Sequence, residues 1–186
     1  MNAQLPSTKA LVPFVSVENM MRLIHHVGIE TVTYVVEGRI DHYDNQGHEG
    51  TILPGDVQWM TAGRGLIHNE IPAEGVTVHS LQLWINLPAA DKMTAPRYQD
   101  LAGDAVPVRR QPGVKIRVFS GASGGVTAPT KNVVPVTMVE VRLDQGTAVG
   151  HRSSQTVSNR QQPEPERPFV VLLDAYHPPQ TTFGDP

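Results

Sequence analysis

From Gly28 to Leu87 the chain is a succession of strand-length runs, each ended by a turn signal before a helix could form. Thr31-Val32-Thr33-Tyr34-Val35-Val36 is β-branched and aromatic, and Gly38 closes it. Asp44-Asn45-Gln46-Gly47 and Pro54-Gly55-Asp56 read as turns on either side of short segments. Val57 to Met60 reads as a strand, Ala62-Gly63-Arg64-Gly65 as a glycine-rich loop, and Leu66 to Glu70 alternates faces. Val78 to Ile85 is a further strand with Trp84 near its end. No 3.6-residue apolar period of any length competes. The 16 Gly and 16 Pro fit many turns and short strands. The chain is therefore expected to be all-β, an antiparallel sandwich or barrel.

Beyond Leu87, Asp91 to Leu101 carries charges and Pro96 and reads as a loop or short helical turn. Strand material resumes in Val106 to Ser120, notably Val114 to Phe119, and again in Val136 to Leu143. At Gly150 the composition changes. His151 to Arg167 has almost no apolar content and reads as a solvated, mobile linker. Phe169-Val170-Val171-Leu172-Leu173 is apolar and is expected to add an edge strand to the β core or to a second copy of the chain, making a homodimer conceivable. The expected organisation is a lead-in over 1–27, a core over 28–105, strands over 106–150 that complete that core or begin another, and a linker and tail over 151–186.

Fifteen Lys and Arg against 18 Asp and Glu leave a net charge of −3, which gives no electrostatic footprint for nucleic acid or an acidic membrane surface. With no cysteine there can be neither disulfides nor thiolate ligands, so a metal would depend on the eight His and the carboxylates. Met1-Asn2-Ala3-Gln4 has no secretory pattern, and no apolar run is long enough to span a bilayer as a helix; the expected location is cytoplasmic.

His68-Asn69-Glu70 carries the clearest chemistry. On an extended chain residues two apart share a face, so His68 and Glu70 can converge while Asn69 turns away. His26 precedes the strand near Thr31, and His25 beside it points the opposite way. A barrel interior could collect His26, His68 and Glu70, the two-imidazole, one-carboxylate set favoured by non-heme Fe(II). The alternative is a surface His pair and a solvated His-x-Glu. His42, His48 and His177 lie in turn or tail segments and read as solvated, with His79 a borderline case. Trp59 and Trp84 read as core, Asp56 as a turn former, and Arg64 as structural.

The order of these residues resembles a known family. Pro54-Gly55-Asp56, a strand, Ala62-Gly63 and then His68 resemble the second motif of cupins, and His26 followed by a β run ending in Glu37-Gly38 resembles the first. Gly28 to Tyr34, Gly55 to Gly65, His68-x-Glu70, Gln82 to Ala89, Asp91-Lys92-Met93 and Pro96 to Asp100 are similar to pirins. This resemblance runs from about Gly28 to Leu101. It implies a cupin-type double-stranded β-helix, a jelly-roll barrel, with one complete cupin domain in 28–105 and a partial second domain begun in 106–150.

The resemblance further implies a divalent metal, Fe(II) foremost, held by His26, His68 and Glu70. The activity implied is oxygenase chemistry of the quercetin 2,3-dioxygenase type on a flavonol-like substrate, with Glu70 also taking the hydroxyl proton. Its alternative is a non-catalytic interaction protein with a protein partner and a weakened or absent metal site. One departure bears on this choice. Pirins carry His-x-His in the first motif; His26 matches the second of these, whereas Ile24 stands at the first and His25 is displaced by one. A one-residue displacement turns a strand side chain to the other face, so His25 is not expected to be a ligand.

Overall fold

The computed structural model describes residues 23–144 and 147 in full, and 148–150, 156–158 and 169–175 as strand backbone. The expected mobile linker lies mostly outside the described residues, as does His177. All regular structure among the described residues is β, as the turn-punctuated sequence requires. The chain divides into two compact units, 1–105 and 106–186.

The first unit contains β1 (Ile24–His26), β2 (Ile29–Glu37), β3 (Ile40–Asp44), β4 (Glu49–Ile52), β5 (Val57–Thr61), β6 (Leu66–Pro72), β7 (His79–Asn86) and β8 (Arg97–Leu101). They form two four-stranded antiparallel sheets, in the orders β1-β6-β3-β4 and β7-β2-β5-β8. Side chains of one sheet hydrogen-bond to the other, Thr33 of β2 to Glu70 of β6 and Gln58 of β5 to His42 of β3. This is the jelly-roll arrangement of a cupin. Val35, Ile40 and Ile52 form one apolar cluster, and Met60, Ala62 and Leu66 another, each buried side chain larger than alanine contributing about 1.5–3 kcal/mol.

Two glycines are fixed by space. Gly38 (φ 85°) turns β2 into β3, and a Cβ there would collide with the Thr77 carbonyl. Gly63 (φ 52°) lies between β5 and β6, and a Cβ would meet the Thr94 carbonyl, which already accepts from the Arg64 amide at 2.9 Å. Asp56 shapes its turn as expected, accepting from the amides of Leu53 at 2.9 Å and Gly103 at 2.7 Å.

One segment corrects the sequence reading. Arg97 to Leu101 is not loop or helical turn but the edge strand β8, paired antiparallel with β5. Its polar composition suits an edge, where only part of the strand is buried.

The second unit contains β9 (Val108–Gln111), β10 (Val114–Ser120), β11 (Ala122–Ser123), β12 (Val126–Thr127), β13 (Val136–Leu143), β14 (Ala148–Gly150), β15 (Thr156–Ser158) and β16 (Phe169–Ala175). β16, β13, β10 and β9 form an antiparallel sheet in that order, so the apolar run near the C-terminus is an edge strand on β13. Val114, Ile116, Val118, Ala128, Val139 and Val141 form its core. Glu140 is buried in this unit and held by Arg117 at 2.6 Å and Arg142 at 2.5 Å.

Candidate metal centre

β1 is only three residues long, and its pairing with β6 decides which side chains enter the barrel. Ile24 lies opposite His68, His25 opposite Ile67 and His26 opposite Leu66. Directly opposed residues share a face, as do residues two apart. Ile24, His26, Leu66 and His68 therefore point together, and His25 points away. His26 is 3% exposed and His68 fully buried, whereas His25 is exposed, its ring near Gly65. β1 is regularly paired with no bulge that would bring His25 inward.

The rings of His26 and His68 lie 5.0 Å apart between centroids, inclined by 51°. His26 Nε2 and both ring nitrogens of His68 are buried without a hydrogen-bond partner. Such groups are costly to leave unpaired, so three orphaned imidazole nitrogens in one place call for a partner. Burial holds His26 below the usual histidine range, with repulsion from His25 adding to it. Burial, then repulsion from His26 and His42, pushes His68 down to about 4. Both rings are thus neutral at pH 7, the form that offers a lone pair to a cation.

Glu70 lies on the same face of β6 as His68 but is engaged elsewhere. Thr33 Oγ1 donates to its Oε1 at 2.9 Å, and Gln82 Nε2 donates to Oε1 at 3.2 Å and Oε2 at 3.1 Å. Burial pushes its carboxyl above the usual range, partly offset by these hydrogen bonds. Among the described residues no three His, Asp or Glu side chains are gathered closely enough to hold an ion as they stand. The donor set fits a metal in its two imidazoles. Glu70, the carboxylate of the expected set, is bound to Thr33 and Gln82 instead.

Two residues around this pair differ from their sequence reading. His42 is not solvated but 5% exposed, on β3 opposite Glu70. Gln58 Nε2 donates to its Nε2 at 2.6 Å and to Asp100 Oδ1 at 3.0 Å. Burial holds His42 below the usual range against the opposing pull of Asp100, Asp44 and Asp41. Trp84 is not core but 64% exposed; Trp59 alone of the two is fully buried. Period-two alternation within β7 places Trp84 on the face of Gln82, but no signal within either strand gives the burial of His42 or the exposure of Trp84.

His48 is exposed, as expected, and its Nδ1 is 2.9 Å from Asp44 Oδ2. His79 is half-buried at the start of β7.

Residues 9–85 match the family described as Pirin. The chain is 43% identical over 150 residues to "Pirin-like protein 2" of Arabidopsis thaliana, covering 81% of this chain and 44% of that one. It is 43% identical over 122 residues to "Pirin" of Mus musculus, covering 65% and 42% respectively. A crystal structure of GK1651 from Geobacillus kaustophilus superposes with a TM-score of 0.67 at 60% identity, over 69% of this chain and 52% of that one. A crystal structure of quercetin 2,3-dioxygenase from Acinetobacter baumannii gives a TM-score of 0.66 at 31% identity, over 74% and 50%. The chain thus spans about half the length of the relatives it matches.

Proposed function

Because this chain belongs to the pirin family, we propose that its first unit binds a divalent metal and serves an oxygenase reaction of the quercetin 2,3-dioxygenase type. The observation that carries this reading is the buried His26–His68 pair with three unpartnered ring nitrogens. His26 and His68 are the imidazole ligands and Glu70 the carboxylate. An Fe(II) bound by them supplies Lewis acidity and one-electron chemistry toward oxygen. The likeness to a quercetin 2,3-dioxygenase supports a flavonol-like substrate.

The chain's own residues divide the remaining work. Burial, which raises the Glu70 carboxyl, makes it a better acceptor for the proton of a substrate hydroxyl than a solvated glutamate. Thr33 and Gln82 orient that carboxylate and leave Oε2 with one donor against two on Oε1. The neutral imidazoles keep their lone pairs inward, and Ile24 on the same face contributes only apolar surface.

A second reading is a non-catalytic interaction protein with a weakened metal site. The observations favouring it are Ile24 opposite His68 and the engagement of Glu70 by Gln82 and Thr33. The two readings part in one experiment. The chain is purified without chelator, its metal content measured, and oxygen uptake followed with quercetin under added Fe(II). Stoichiometric metal with oxygen uptake is the expected result. Uptake absent from the metal-loaded chain sinks the oxygenase reading, and a chain that takes up no metal sinks both enzyme and ligand assignments.

A further inference from the structure

Trp84 is the most exposed aromatic side chain among the described residues, at 64%. It is nevertheless held in place. Its Nε1–H donates to Gln82 Oε1 at 2.8 Å, and its ring meets that of His26 nearly at right angles, with centroids 5.2 Å apart at 83°. Trp84 stands opposite Thr31, and Gln82 opposite Thr33, so both lie on the strand phase that presents Gln82 to Glu70. One amide therefore fixes two groups: its oxygen holds the indole, and its nitrogen holds the carboxylate of Glu70.

An indole with its N–H satisfied and its ring open to solvent suits one kind of contact. It offers a rigid apolar plane with little further entropy to lose on binding. The ring touches that of His26, which in turn lies 5.0 Å from that of His68, so the indole stands at the entrance to the buried pair. We propose that Trp84 is the platform on which a planar, hydroxylated aromatic ligand rests, with its hydroxyl edge toward His26, His68 and Glu70. The inference rests on the aromatic-substrate reading above and adds the residue that recognises the ring. It replaces the expectation that Trp84 fills the core.

The test measures anaerobic binding of quercetin to the full chain by equilibrium dialysis, in wild type and in Trp84→Ala and Trp84→Phe. Metal content is determined in parallel. Removing the ring should weaken binding about tenfold or more, while phenylalanine, which keeps a ring without the N–H, should cost less than about threefold. Metal content should be the same in all three. A measurement without substitution guards against misfolding of the variants: quercetin should shield the wild-type emission that acrylamide quenches, since Trp59 is buried and Trp84 is not. Wild-type binding left unchanged by Trp84→Ala, or a loss as large in phenylalanine as in alanine, overturns the platform and leaves the aromatic-substrate reading standing. No quercetin binding by wild type overturns both.

Discussion

Ile24 and His68 face each other across the β1–β6 pairing, so an apolar side chain occupies the place from which another imidazole could reach the same interior as His26 and His68. The substitution Ile24→His should therefore tighten binding of a divalent metal, by roughly tenfold or more for one added neutral donor. Titration calorimetry with Ni(II) or Fe(II) on the intact chain reads this directly. His25→Ala should leave the affinity within about twofold, because His25 is exposed on the opposite face. A large loss in His25→Ala would mean that β1 pairs in another register.

The buried imidazoles also make the metal-free chain acid-sensitive. The folded-state value of His68 lies near 4, below the ordinary histidine value of 6.5. Between those values the unfolded chain binds a proton that the folded chain does not, so stability rises with pH across this window. It is fully present above about pH 6.5 and lost progressively toward pH 4, by about 3 kcal/mol for His68. His26 acts in the same direction. Urea unfolding of metal-free protein at pH 7.5 and pH 5 should show the loss, and His68→Gln should flatten it. Added metal should steepen the pH dependence, since protons and the cation compete for the same nitrogens.

Much of this arrangement was legible because strands have a period of two. His68 and Glu70 had to share a face, and His25 and His26 had to part. Val136 to Leu143 could be read from its alternation alone, and it is β13 without adjustment. Legibility failed where long-range contacts decide. Ile40-Asp41-His42-Tyr43-Asp44 has the composition of a turn, yet His42 is buried because Gln58, on another sheet, supplies its hydrogen bond. Trp84 was misread for the converse reason: a large aromatic residue in a barrel strand is usually enclosed, and nothing local shows that this ring stays open. The polar strand β8 exists because β5 offers it an edge, and that offer is invisible in Arg97 to Leu101.

Gly63 gives a prediction about stability rather than chemistry. Its φ of 52° is strained for any residue with a Cβ, and that atom would strike the Thr94 backbone carbonyl rather than a movable side chain. Gly63→Ala should cost more than about 1–2 kcal/mol, the conformational penalty alone. A thermal melt monitored by circular dichroism measures it. An unchanged melt would show that the loop before β6 relaxes freely.

In the second unit Glu140 is completely buried and depends on Arg117 and Arg142. Arg117, itself 6% exposed, also lies over the ring of Phe119 at 5.0 Å. Arg117→Ala leaves the buried Glu140 carboxylate with the partly exposed Arg142 as its remaining guanidinium, so it should destabilise by less than the roughly 3–5 kcal/mol of a fully stranded buried charge. The double change Arg117→Met with Glu140→Leu should cost less, because no buried charge is then left unpaired and Arg142, its side chain 42% exposed, stays solvated. Denaturant titration of the three proteins distinguishes the outcomes. Equal losses in the single and double variants would mean that packing, not charge, is what Arg117 contributes.

The last prediction concerns β16, which covers one edge of β13 through antiparallel pairing from Val136 to Val141, with a register shift between Val136 and Thr137. Deleting residues 159–186 removes that strand and leaves the backbone donors and acceptors of β13 unpaired along an apolar sheet. Unpaired edges of this kind recruit other strands. The shortened chain should therefore self-associate or precipitate at concentrations where the full chain does not, and its second unit should unfold at lower denaturant. Light scattering and a urea titration of the two chains provide the comparison. A shortened chain that stays monomeric and equally stable would show that β16 is dispensable to the sheet and that the edge of β13 is protected by its own side chains.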